Sequence, residues 1–178
     1  MNVTEPATML TDYALFLLCA WFGLSLFLRS RRAGGRGVAL WVAAFSVTAL
    51  AALAGGTAHG FRIPLGEARG PVWKVTVVSI AFGSALLIAA GVRSAVRPQA
   101  EREGERRQGI LWLKRAIGVS LAGLAVLVLK LSPHPHFNHN DLYHVIQMGG
   151  LLGLYRGAVL LHGLHRVSES GRRRGTGS

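Results

Sequence analysis

Apolar residues along this chain gather into five long blocks, with the polar residues collected between them. The blocks cover roughly residues 10–28, 38–61, 72–92, 110–131 and 142–164. Each is close to the ~20 residues a helix needs to cross a bilayer. The pattern predicts an all-α fold, a polytopic transmembrane helix bundle of about five spans. The fourth block is the weakest, because Lys114 and Arg115 interrupt it and leave only 116–129 as an unbroken apolar core. Those two side chains can snorkel to the headgroups, with Trp112 at the interface.

Composition agrees with the pattern. Only 16% of the 178 residues are charged, against roughly 25% in a soluble domain. The formal net charge of +12 raises nucleic acid as a partner, but the placement of the charge argues for no nucleic acid. Arg29, Arg31, Arg32 and Arg36 follow the first block, and Arg93, Arg97, Arg102, Arg106 and Arg107 follow the third. Arg166, Arg172, Arg173 and Arg174 follow the fifth. With five spans these regions share one side, and the other side keeps only Arg62, Arg69, Lys74 and Lys130 beside an acidic N-terminus. That asymmetry predicts N-terminus out and C-terminus in. It also predicts attraction to anionic lipid.

The start of the chain has no basic region, and the first block ends in Arg29-Ser30-Arg31-Arg32. A stop-transfer flank is therefore expected there, and no cleavable signal peptide. Residues 1–167 form a single expected transmembrane domain, and 168–178, rich in Gly, Ser and Arg, an expected disordered basic tail. The connection 93–108 is charged and expected to be helical extension or solvated turn. Cys19 is the only cysteine, so an internal disulfide and a Cys-based metal motif are both excluded. The Arg-, Ala- and Gly-rich composition points to the cytoplasmic membrane of a bacterium.

Candidate chemistry concentrates at the predicted outer face. His59 ends the second span; His134, His136 and His139 precede the fifth, and His144 lies in its first turns. Asp12 opens the first span and Asp141 the fifth. On a helix Asp141, His144 and Gln147 or Met148 share a stripe that continues to Leu151 and Tyr155, while Thr48, Ala52, Gly55 and His59 form a stripe of small residues on the second span. Ionisable groups at membrane depth are functional candidates. Imidazoles with a carboxylate suit Zn²⁺, and zinc lowers the pKa of a bound water to about 7. The expected metal ligands are His59, His139 and His144, with Asp141 or Asp12 as general base or as the group that orients a histidine. Bland roles compete: Asn138 and Asp141 are spaced to cap the fifth span, Thr11 and Asp12 to cap the first, and His134 and His136 suit a solvated loop. Gly149, Gly153 and Gly157 share a face of the fifth span, and Gly56 and Gly60 one of the second, so both are expected to pack tightly, potentially on each other. Arg156, inside the fifth block, needs a partner, an aqueous cavity or a path to snorkel.

A histidine late in the second helix followed by Asn140-Asp141-Leu142-Tyr143-His144-Val145 at the start of the last resembles the superfamily of alkaline ceramidases, progestin/adipoQ receptors and haemolysin-III-like proteins. The resemblance implies a zinc-binding membrane protein and, for several members, lipid amide hydrolysis. The chain departs from the pattern at four points. The first histidine of the last-helix motif falls on Asn140, and the serine expected before the second-helix histidine falls on Gly55. No acidic residue opens the third span, and five spans replace seven.

Three functions follow as expectations. One is a zinc-dependent hydrolase of a lipid amide or ester. Another is a non-catalytic membrane subunit or ligand-binding receptor with a partner membrane protein or ligand. The last is an electron-transfer protein with haem held between two histidines. Membrane lipids are the expected surroundings in each.

Overall fold

The computed structural model describes residues 3–33, 37–96 and 103–164. The expected tail 168–178 lies outside the described residues, as do Arg36, Arg97, Arg102, His165, Arg166, Arg172, Arg173 and Arg174. Five long helices carry the described chain: α1 (Pro6–Ala33), α2 (Ala39–Gly60), α4 (Arg69–Val96), α5 (Glu103–Val128) and α6 (His139–Leu161), with one short turn, α3 (Arg62–Leu65), before α4. No strand occurs among the described residues. The fold is an all-α helical bundle.

Each helix begins and ends for a local reason. Pro6 opens α1 at a position where its missing N–H costs nothing. Gly66, at φ 50°, turns the chain from α3 into α4. Lys130, at φ 52°, ends the passage out of α5, and Asn138 with Asp141 forms a capping box on α6.

Length and composition qualify α1, α2, the α3–α4 stretch and α5 to cross a membrane. This is a membrane protein by that measure. The fourth block, expected to be weakest, qualifies, since Lys114 and Arg115 are the only charged residues in the 18-residue stretch 111–128 of α5. By contrast, α6 is not among the qualifying helices, because His139, Asp141, His144, Gln147 and Arg156 dilute its apolar run.

The helices form an arc in the order α5, α6, α1, α2, α4, and α4 touches α5 and α6 only lightly. Small residues line the contacts and larger ones face outward: Phe82, Ile88, Leu121 and Val128 are exposed, while α2 buries Ala44, Ala49, Ala51, Ala52, Gly55 and Gly56. This is how helices associate where lipid is as apolar as leucine. The glycines of α6 meet α5 and not α2. A Cβ on Gly153 would stand 2.9 Å from that of Ala116, and one on Gly157 would stand 2.6 Å from Leu113 Cδ2. The glycines of α2 meet α1, Gly56 against Tyr13 and Gly60 against Met9. Spans two and five are therefore both tightly packed, as expected, but each on a different neighbour.

Trp41 and Phe45, both fully buried, anchor the core. Trp41 Nε1 donates to Ser94 Oγ at 2.9 Å, and Ser94 Oγ lies 3.1 Å from His162 Nε2. Phe22 stacks on Tyr155 at 4.4 Å between ring centres, and the Tyr155 hydroxyl meets Ser25 Oγ at 2.8 Å. These contacts hold α1, α2, α4 and α6 in register at one end of the bundle. At the other end Thr4 N–H donates to Gly60 O at 3.0 Å, so the acidic N-terminus sits beside the end of α2.

Candidate functional site

That second end carries a cavity of about 220 Å³, walled by α1, α2, α4 and α6, with Leu127 of α5 at its edge. The small-residue stripe of α2 forms one wall: Thr48, Ala52, Gly55 and His59 all line it. The polar stripe of α6 forms another, with Asn140, Tyr143, His144, Gln147 and Leu151. Trp73 and Thr76 come from α4, and Asp12 from α1.

Asp12 is the chemical centre. It lies in the second turn of α1, inside the helix that Pro6 opens, so it does not cap that helix. Its residue is 4% exposed. Oδ1 stands 3.4 Å from His144 Nε2, and Oδ2 is buried with no hydrogen-bond partner. An unsatisfied buried acceptor costs roughly 1–3 kcal/mol. Gly55 makes room for this carboxylate: a Cβ there would lie 3.3 Å from Oδ2 and 3.4 Å from Thr76 Cγ2. The position where the family resemblance expects serine is thus a glycine against which Asp12 packs.

His144 is held from both sides. Its Nδ1 is 3.1 Å from Thr11 Oγ1, and the Thr11 hydroxyl donates to Thr8 O at 3.0 Å. With its hydrogen so used, Thr11 accepts from Nδ1–H. Nε2 is thereby left facing Asp12 Oδ1 across 3.4 Å.

His59 faces the cavity from α2. Its Nδ1 donates to Glu5 Oε2 at 2.8 Å, and its ring meets Trp73 edge-on at 5.6 Å between centres. Glu5, Thr8 and Trp73 were not singled out from the sequence, and Thr11 was read only as a cap for the first span, a role its place inside α1 rules out. The only signal for Glu5 was the acidic character of the N-terminus, and Thr8 gave none.

Asp141 lies behind the cavity wall. It is fully buried, and both its oxygens are engaged: Oδ1 accepts from Thr8 Oγ1 at 2.7 Å, Oδ2 from Asn138 N–H at 2.8 Å. Its geometry is that of a cap that also ties α6 to α1. His139 lies outside the cavity, its backbone N–H donating to Ser132 Oγ at 3.2 Å. His134 and His136 are exposed, with ring centres 5.4 Å apart. The structure therefore joins His59, His144 and Asp12 at one cavity and leaves His139 and Asp141 off it. Among the described residues no three His, Cys, Asp or Glu side chains stand close enough to share a metal ion. As folded, His59, His144 and Asp12 are not arranged as a three-ligand zinc set.

A protein-family model matches residues 7–103 and 100–162, described as a family of unknown function (DUF6962), and the chain belongs to that family. No curated protein and no solved structure matches the chain.

Proposed function

We propose that this DUF6962 member is a multi-pass membrane protein that binds an amphiphile at its outer face. A cationic or hydrogen-bond-donating head sits on Asp12, and an apolar chain lies between α4 and α5. The observation that carries the proposal is the unpartnered Oδ2 of Asp12, buried beside an open cavity. A donor supplied by a ligand satisfies that oxygen, and the aromatic residues Trp73 and Tyr143 line the same cavity, where a cation is favoured. The cavity is smaller than the roughly 300–1,000 Å³ of sites that enclose a whole small molecule, which suits a head group. An apolar hollow of about 360 Å³, walled by Ile88, Val92, Ile117 and Leu154, adjoins it at Leu87, which lines both. That hollow suits the chain. The charge asymmetry supports N-terminus out, and composition supports a bacterial cytoplasmic membrane.

Dodecylammonium, dodecanol and dodecanoate, added in turn to purified protein, test the reading through the thermal unfolding midpoint. Dodecylammonium should raise the midpoint of wild type and leave Asp12→Asn unmoved. The comparison with Asp12→Asn separates binding at this carboxylate from unspecific uptake of the cation. A response to dodecanoate alone would contradict the reading.

A second reading rests on the approach of His144 Nε2 to Asp12 Oδ1 at 3.4 Å. In a lipid amide or ester hydrolase of the kind the ceramidase-like resemblance implies, the unpartnered Oδ2 of Asp12 would take a proton from an attacking water, and His144 beside Oδ1 would position the carboxylate. Release of fatty acid from an N-acyl amine, lost in Asp12→Asn, tests it. Elemental analysis of wild type beside His59→Ala tests zinc separately.

A further inference from the structure

The opposite end of the bundle holds a second built site. A hollow of about 330 Å³ lies between α1, α5 and α6, and Arg29, Gln108, Trp112, Tyr155 and Arg156 line it. Arg156, which in sequence falls inside an apolar block, sits here in the last turns of α6. Its guanidinium carbon lies 5.1 Å from the centre of the Trp112 ring, a cation–π contact that holds the charge at this level. The Tyr155 hydroxyl is already engaged with Ser25, so the donors left facing the hollow are the two guanidiniums and the Gln108 amide. Among the described residues no acidic side chain lines it, and neither arginine forms an ion pair with a carboxylate. Two arginines converging on a space without a counter-charge call for an anion, and paired guanidiniums match phosphate oxygens best.

Three helix ends meet at this level: the last turns of α1 and α6 and the first turns of α5. Trp112 supplies the aromatic residue typical of a membrane interface. Val159 and Leu160 give the hollow an apolar flank, continued along α6 by the exposed Leu152. A free anion has no use for that flank, whereas an acyl chain does.

We propose that this hollow binds the phosphate of an anionic phospholipid of the basic-side leaflet, held by Arg29, Arg156 and Gln108 beside Trp112. The proposal is independent of the cavity around Asp12.

The test is thermal unfolding of the full chain in detergent with dioctanoyl phosphatidylglycerol, dioctanoyl phosphatidylcholine or inorganic phosphate. Phosphatidylglycerol should stabilise wild type, and the other two should not. Arg156→Gln should weaken the response about tenfold, as expected for one lost charge-assisted hydrogen bond. Arg156→Lys should restore part of it, and Arg93→Gln, a basic residue outside the hollow, should leave it unchanged. If Arg156→Gln does not fold, Arg29→Gln carries the same expectation. An equal response in the arginine variants, or to phosphatidylcholine, would overturn the proposal. Equal stabilisation by inorganic phosphate would overturn the lipid as the source of the anion.

Discussion

Two buried aspartates of this chain look alike in sequence and do opposite things. Asp141 has both oxygens bonded and ties the start of α6 to Thr8 of α1, whereas Asp12 leaves one oxygen unpartnered at a cavity. Asp141→Ala should therefore destabilise the bundle by about 2–4 kcal/mol, the sum of a lost cap and a lost buried bond. Unfolding titration in a denaturing detergent would measure it. Thr8→Val, which removes one bond of the same pair, should cost about 1 kcal/mol. A silent Asp141→Ala would mean that the cap does not hold α6. His59 and His144 were legible as candidates because a polar group in an apolar block stands out. Glu5, Thr8 and Thr11 were not, since their roles exist only once α1 lies between the end of α2 and the start of α6.

At the scale of elements, spacing marks a face but does not name its neighbour. The glycines of α2 and α6 were legible as contact faces, yet their partners are α1 and α5. Nothing in one helix's periodicity says which helix lies opposite. The same geometry separates glycines that packing requires from those it does not. Gly153→Ala would push its Cβ to 2.9 Å from that of Ala116, and such overpacking costs about 1–3 kcal/mol. Gly91 has nothing within 4 Å of an added Cβ, so Gly91→Ala should be neutral or gain roughly 0.5–1 kcal/mol. Equal effects of the two substitutions on unfolding would mean that α5 and α6 are not in close contact. The polar stripe of α6 was readable as a site for the same reason that keeps α6 out of the qualifying spans: its chemistry lowers its hydropathy.

At the scale of the molecule, the helix count was legible because each span repeats the same signal over some twenty residues. The arc was not, nor were the cavities, because both depend on α4 leaning on α2 and leaving α5. Charge asymmetry assigns the two ends to opposite sides of the membrane. On a Cys19→Ser background, a membrane-impermeant thiol reagent added to intact cells should label Ser132→Cys and spare Gly104→Cys; the reverse pattern would invert the orientation.

The proposed function puts the head of an amphiphile on Asp12. Its most direct test is a binding titration of dodecylammonium against purified wild type and Asp12→Asn, followed by the fluorescence of Trp73 after the other tryptophans are replaced by phenylalanine. Binding to wild type should be saturable, should perturb Trp73 and should be lost in Asp12→Asn. Equal binding by both proteins, or none by wild type, would contradict it.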